Sequence, residues 1–167
     1  MNILYIHGLN SSLNAEKRAV LEHYGTVFAP SIDYENHPDA ITQLITTYQT
    51  SNMHVVIGSS MGGFVGYYVS NQFQCPALLF NPALAQRSVH QNTPELTPHH
   101  KSALKHLVLG TADTKVNPAE TLQFLSKTIS RNPEYTIHLR NDLEHRIPLD
   151  IFKEEVDLFF SKYNQLK

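Results

Sequence analysis

The sequence predicts an α/β protein: a predominantly parallel sheet with helices on both faces, in a single domain spanning residues 1–167. Three observations lead there. Short apolar runs alternate with longer segments whose apolar residues recur at helical spacing. The short runs are apolar almost throughout, as strands covered on both faces are. The residues with the most chemical potential come directly after those runs, and ligands in such sheets bind beyond the carboxyl ends of the strands.

The first run, Asn2 to Ile6, ends at His7-Gly8 and reads as an internal strand of the sheet. Leu13, Val20, Leu21 and Tyr24 then give a helical stripe, with Glu16, Lys17 and Arg18 on the opposite face and Gly25 as the terminator. Thr26 to Ala29 is the second strand, closed by Pro30. After a loop with Asp33, Glu35 and His37, Pro38 suits a first helical position, ahead of the stripe Ile41, Leu44, Ile45, Tyr48. His54 to Ile57 is the third strand, and the segment after Ser60 is a helix apolar on nearly every side. Ala77 to Phe80 and Leu107 to Leu109 are the fourth and fifth strands. Asn117-Pro118-Ala119-Glu120 opens a helix with a cap, a first-turn proline and an early acid, followed by the stripe Leu122, Leu125, Ile129. Tyr135 to Leu139 is the sixth strand, and Phe152, Val156, Phe159, Phe160 and Tyr163 line the last helix. One segment interrupts the alternation. Residues 83–106 are long and polar, and Thr93-Pro94 and Thr97-Pro98 each resemble a helix cap with its proline, so two short helices forming a small cap over the site are expected.

Composition narrows the function. The chain has 167 residues, 41% hydrophobic and 17% charged, an ordinary globular balance. A net charge of -2 without a basic run argues against nucleic-acid binding. No apolar segment is long enough to span a membrane, and Met1 leads straight into a strand with no signal-peptide pattern, so a cytoplasmic protein is expected. Cys75, the only cysteine, precedes Pro76 and reads as a small buried hydrophobe.

The chemistry centres on Gly58-Ser59-Ser60-Met61-Gly62, which fits G-x-S-x-G between a strand and a helix. In that turn, the nucleophile elbow, the serine sits in strained backbone and the flanking glycines leave room for the neighbouring strand and helix. Ser60 needs a base, because an unassisted hydroxyl is a weak nucleophile. Of ten histidines, His145 follows the sixth strand and precedes the last helix. His138 lies within a strand and reads as structural. His90, His99 and His100 lack an acid or cysteine pattern for a metal, and His7 reads as a hydrogen-bonded structural residue. The base needs an acid to fix its tautomer, and Asp113 follows the fifth strand. Asp142 and Glu144 are too near His145 in sequence to reach its far nitrogen, and Asn81, after the fourth strand, cannot supply charge. The chain order Ser60, Asp113, His145 is that of α/β-hydrolases. Oxyanion donors are expected from the backbone N–H groups of Met61 and Leu9, with Asn10 as the alternative to Leu9.

With Tyr5-Ile6-His7-Gly8-Leu9-Asn10-Ser11-Ser12, the elbow at Gly58 to Gly63, Asn81-Pro82-Ala83, Glu95-Leu96-Thr97-Pro98 and the acid and histidine loops, the chain resembles the small bacterial esterases of the YqiA type, within the α/β-hydrolase superfamily. The resemblance implies a minimal α/β-hydrolase fold lacking the first two strands of the full superfamily sheet. Its six strands would be ordered 2-1-3-4-5-6, with the elbow strand near the middle. The chain departs from the pattern at Thr114-Lys115, where a glutamate is expected, and at Leu143-Glu144, which replaces a glycine-rich turn.

The reading is a serine esterase acting on carboxylic esters or thioesters of short to medium acyl length, with no cofactor or metal and a small-molecule substrate. Leu84, Val89 and Leu96 are candidates to line an acyl groove. The alternatives are a catalytically silent binding protein on the same fold, and amide or carbon–carbon bond cleavage by the same triad.

Overall fold

The computed structural model describes residues 1–94, 103–128 and 134–165. Its six strands are β1 (Asn2–Ile6), β2 (Thr26–Phe28), β3 (Val55–Ser59), β4 (Ala77–Phe80), β5 (Lys105–Gly110) and β6 (Tyr135–Arg140). Five helices alternate with them: α1 (Ala15–Glu22), α2 (Ala40–Tyr48), α3 (Met61–Phe73), α4 (Pro118–Thr128) and α5 (Leu149–Gln165). The strands form one sheet in the order β2-β1-β3-β4-β5-β6, every neighbouring pair parallel. β1 is internal, as its apolar sequence predicts, and β3 lies near the middle.

Alternation along the strands sorts their side chains onto two faces. Leu4, Ile6, Val56, Leu79, Leu107 and Leu109 form one core with residues of α2, α3 and α4. Ile3, Tyr5, Val55, Ile57, Leu78, Phe80 and Val108 form the other, under Leu21 of α1 and Phe152, Val156, Phe159 and Phe160 of α5. This double cover is why the strands read as continuous apolar runs. α3 sits over the sheet centre, so nearly its whole first two turns are buried. Cys75 is buried, and burial pushes its thiol up to about 12, which suits a packing role. Among the described residues, no helix is long and apolar enough to cross a membrane.

Four expectations are corrected. Gly25 does not end α1: the helix closes at Glu22 with His23 as a right-handed C-cap, and Gly25 is instead pressed against the Met1 carbonyl, which a side chain would strike. Pro38 precedes the N-cap Asp39 and is not a first-turn residue of α2. The fifth strand begins two residues before the predicted Leu107, because Lys105 and His106 continue the ladder with Tyr135 and Thr136. Leu84 is buried in the core with Val89 packed against it, and neither is in the wall of the cavity that Ser60 lines. In the 83–106 segment, residues 83–94 contain no helix. Thr97-Pro98, Leu96, His99 and His100 lie outside the described residues, as does Ile129 of the α4 stripe.

Candidate active site

β3 ends in a turn that the two motif glycines make possible. Ser60 has φ 55° and ψ -118°, a conformation a non-glycine residue adopts only when its surroundings impose it. The surroundings do so on both sides. The Ser60 N–H donates to the Phe80 carbonyl at 2.9 Å, and the Ser60 carbonyl accepts from Phe64 at 3.0 Å and Ala83 at 3.1 Å. A Cβ at Gly58 would collide with the Gly62 carbonyl oxygen, and one at Gly62 with the carbonyl oxygens of Ile6 and His7. The helix therefore starts against β1 and β3 at a distance only glycine permits. Ser60 is left half-buried at the N-terminus of the 13-residue helix α3, where the helix dipole favours negative charge.

Asp113 stands in the loop after β5 and is 5% exposed. One carboxylate oxygen closes the turn: Oδ1 accepts from the Lys115 and Val116 amides at 2.8 and 2.9 Å. The other reaches across 32 residues to His145, whose Nδ1 donates to Oδ2 at 2.8 Å. This bond places the proton of a neutral imidazole on Nδ1 and leaves the Nε2 lone pair as acceptor. The carboxylate side chain is fully buried while that of His145 is one quarter exposed, so the pair presents the imidazole outward.

His145 lies between β6 and α5 in a loop anchored by buried Leu143 and Ile147 on either side. Where a glycine-rich turn was expected, Asp142 takes a left-handed φ of 61°, a conformation aspartate tolerates, and the buried Leu143 follows. Two side chains hold this loop by its carbonyl groups. Asn81 Nδ2 donates to the Glu144 carbonyl at 3.0 Å, while its Oδ1 accepts from Gly110 N at 2.7 Å at the end of β5. Asn81 thereby ties the acid loop to the histidine loop from the end of β4. Lys17 Nζ donates to the Ile147 carbonyl at 2.6 Å. Neither role was legible from the sequence. Asn81 stood out only as a position for an acid, and Lys17 as an outer-face residue of α1.

Ser60 and His145 line the same cavity of about 1210 Å³, with Leu9, Met61 and Tyr5 also in its wall. The amides of Leu9 and Met61 have no acceptor among the described residues. Asn10, the alternative to Leu9, is not in the wall and has φ 50°. Lys17, Arg87, Lys115 and Arg146 rim the cavity against a single acid, Glu16. Burial and then the neighbouring Arg146 charge lower the Lys17 pKa.

Three other histidines weighed from the sequence are placed elsewhere. His7 is 5% exposed and both its ring nitrogens are engaged: Nε2 accepts from Ile32 N at 2.9 Å, which puts the proton on Nδ1, donating to the Gly8 carbonyl at 2.6 Å. His138 meets Glu155 on the far side of the β6–α5 layer. His90 contacts Asn92 on the surface.

The model of the uncharacterised protein family UPF0227 matches residues 2–127. Solved structures of the same architecture include SOBER1 of Arabidopsis thaliana, with TM-score 0.71 and 13% identity over 95% of this chain and 98% of that one. The Bacillus cereus carboxylesterase aligns with TM-score 0.65 and 14% identity, covering 96% of this chain and 87% of its own. MGS-MChE2, an alpha/beta hydrolase enzyme from the metagenome of sediments from the lagoon of Mar Chica, Morocco, aligns with TM-score 0.66 and 11% identity, covering 99% and 91%. At such identities the likeness is one of fold, and the fold is that of the α/β hydrolases.

Proposed function

The chain belongs to the uncharacterised protein family UPF0227, and on that footing we propose that it is a serine hydrolase cleaving carboxylic esters or thioesters through an acyl-enzyme. The observation that carries the reading is the Asp113–His145 bond at 2.8 Å, behind an imidazole that shares its cavity with the strained Ser60.

In this reading His145 Nε2 takes the Ser60 proton as Oγ attacks the substrate carbonyl, and the buried Asp113 stabilises the imidazolium. The Leu9 and Met61 amides, which have no acceptor among the described residues, receive the oxyanion, assisted by the α3 N-terminus. His145 returns the proton to the leaving alkoxide or thiolate, and water, deprotonated by the same imidazole, releases the acid. Every proton has a donor and an acceptor within the chain and substrate, so neither a metal nor an organic cofactor is called on. Of the stretch after β4, Ala83, Gln86, Arg87 and Ser88 stand in the cavity wall and are read as covering one side of the site.

A specific observation favours thioesters of anionic carriers as a second reading. Four cations face one acid at the cavity mouth of a chain whose net charge is -2. A panel of neutral activated esters and acyl-CoA thioesters of graded length tests both. Ser60→Ala should abolish turnover of every member with the fold retained. Arg146→Gln should raise KM for the acyl-CoA substrates and leave neutral esters unchanged. Full activity of Ser60→Ala refutes the first reading, and an equal effect of Arg146→Gln on both classes refutes the second.

A further inference from the structure

His106 on β5, His138 on β6 and Glu155 on α5 converge on the side of the sheet away from α3, and one ligand atom from each lies within 4.8 Å of the others. The strand register explains the convergence. His106 pairs with Thr136 and Val108 with His138, so both histidines project from the face that α5 covers. Glu155 is fully buried, and His138 Nδ1 stands 2.8 Å from its Oε1 and 3.0 Å from its Oε2. His106 is also buried, 1% exposed, and neither ring nitrogen has a hydrogen-bond partner among the described residues. Its Nε2 stands 3.6 Å from Glu155 Oε2, too far for a hydrogen bond. A buried imidazole with both nitrogens unused is a cost that some bound group would ordinarily offset.

The His106–Glu155 separation suits a shared metal better than a hydrogen bond. Ligand atoms about 2.1 Å from a tetrahedral zinc ion lie roughly 3.4 Å apart, between the 3.0 and 3.6 Å that separate His138 Nδ1 and His106 Nε2 from Glu155 Oε2. Arg140 does not take this oxygen. It forms a two-pronged pair with Glu154, at 2.8 and 3.0 Å, and touches only Oε1 of Glu155, at 3.0 Å. Oε2 is free of Arg140 and lies 3.0 Å from His138 Nδ1 and 3.6 Å from His106 Nε2. Two imidazoles and one carboxylate are a donor set for a borderline divalent ion, whereas magnesium and calcium take oxygen shells.

We infer that His106 Nε2, His138 Nδ1 and Glu155 Oε2 form a zinc site, with a water completing the tetrahedron. The water enters beside His138, whose side chain is 37% exposed at the sheet edge. His138 and Glu155 bracket the residues that include the His145 loop, so the ion staples together the strand before that loop and the helix after it. The inference does not rest on the esterase reading.

The test uses the full chain, stripped with a chelator and titrated with Co²⁺. One equivalent should bind with visible bands of tetrahedral intensity, one equivalent of Zn²⁺ should bleach them, and Zn²⁺ should raise the melting temperature. His138→Gln, at a half-exposed position on the edge strand, should fold and lose both the bands and the thermal shift, as should His106→Gln. Ser60→Ala should keep both. Absence of tetrahedral bands in the native chain overturns the inference, and so does their survival in His138→Gln, which decides the matter alone if His106→Gln does not fold.

Discussion

Replacing Asn81 tests whether the Asp113 and His145 loops are held from the end of β4. The side chain is 2% exposed and spans Gly110 N and the Glu144 carbonyl, from a backbone with φ 40°. Asn81→Gly keeps the left-handed backbone accessible and removes only the side chain. The Gly110 N–H is buried, so leaving it without an acceptor costs about 1–3 kcal/mol, and the added chain entropy of glycine costs roughly 0.5–1 kcal/mol. Glu144 is exposed, and water replaces the lost donor at its carbonyl at little cost. The expected loss is therefore about 1.5–4 kcal/mol by urea denaturation. Asn81→Ala should lose about 2–5 kcal/mol in all, because alanine escapes the entropy cost of glycine but disfavours φ > 0 by about 1–2 kcal/mol. A loosened His145 should lower kcat on the order of 10²-fold with KM little changed, since misplacement of a reacting group by about 1 Å costs that much. Steady-state kinetics on a short activated ester, run beside the denaturation curves, separates the effects. Lost stability with full kcat would refute the positioning role, and unchanged stability would refute the structural reading as well.

Two other predictions concern single buried groups. Asp113→Asn should lower kcat by about 10⁴-fold, because an amide in that place no longer enforces the Nδ1–H tautomer or stabilises the imidazolium; a loss below tenfold would show that another group orients His145. Lys105 is fully buried, with Ala103 O at 3.2 Å as a hydrogen-bond acceptor, and desolvation lowers its pKa to about 7, slightly offset by Cys75. Between about pH 7 and 10.5 the unfolded chain carries a proton on this residue that the folded chain lacks. Stability should thus fall as pH drops through that window, by a total on the order of 5 kcal/mol, and Lys105→Met should flatten the dependence and be more stable at pH 7. Parallel curves for the two proteins from pH 7 to 10 would contradict this.

The contrast between Asn81 and Ser60 shows how far the sequence carries. Ser60, Asp113 and His145 each follow a strand end, so apolar runs and turn residues were enough to select them and to put them on one edge of the sheet. The full strand order came with the family resemblance. Asn81 and Lys17 act through side-chain bonds to carbonyl groups 63 and 130 residues away, and no local pattern encodes such reach. Gly25 and Pro38 misled for a related reason. Each has a common local use, but the Met1 carbonyl decides the first, and α2 starts at Ala40, two residues past the second. His106 escaped notice because it sits inside β5, and its apposition to His138 and Glu155 exists only once β5, β6 and α5 are packed.

Covalent labelling with a fluorophosphonate, read by intact mass and peptide mapping, tests the central claim most directly. An activated Ser60 should take up one equivalent, mapped to Ser60 itself. Ser60→Ala should take up none, and His145→Ala should react at least about 10²-fold more slowly, the usual contribution of a positioned base. An unlabelled native protein, or an adduct mapped to Ser59 or Ser11 in the same cavity wall, would contradict the account.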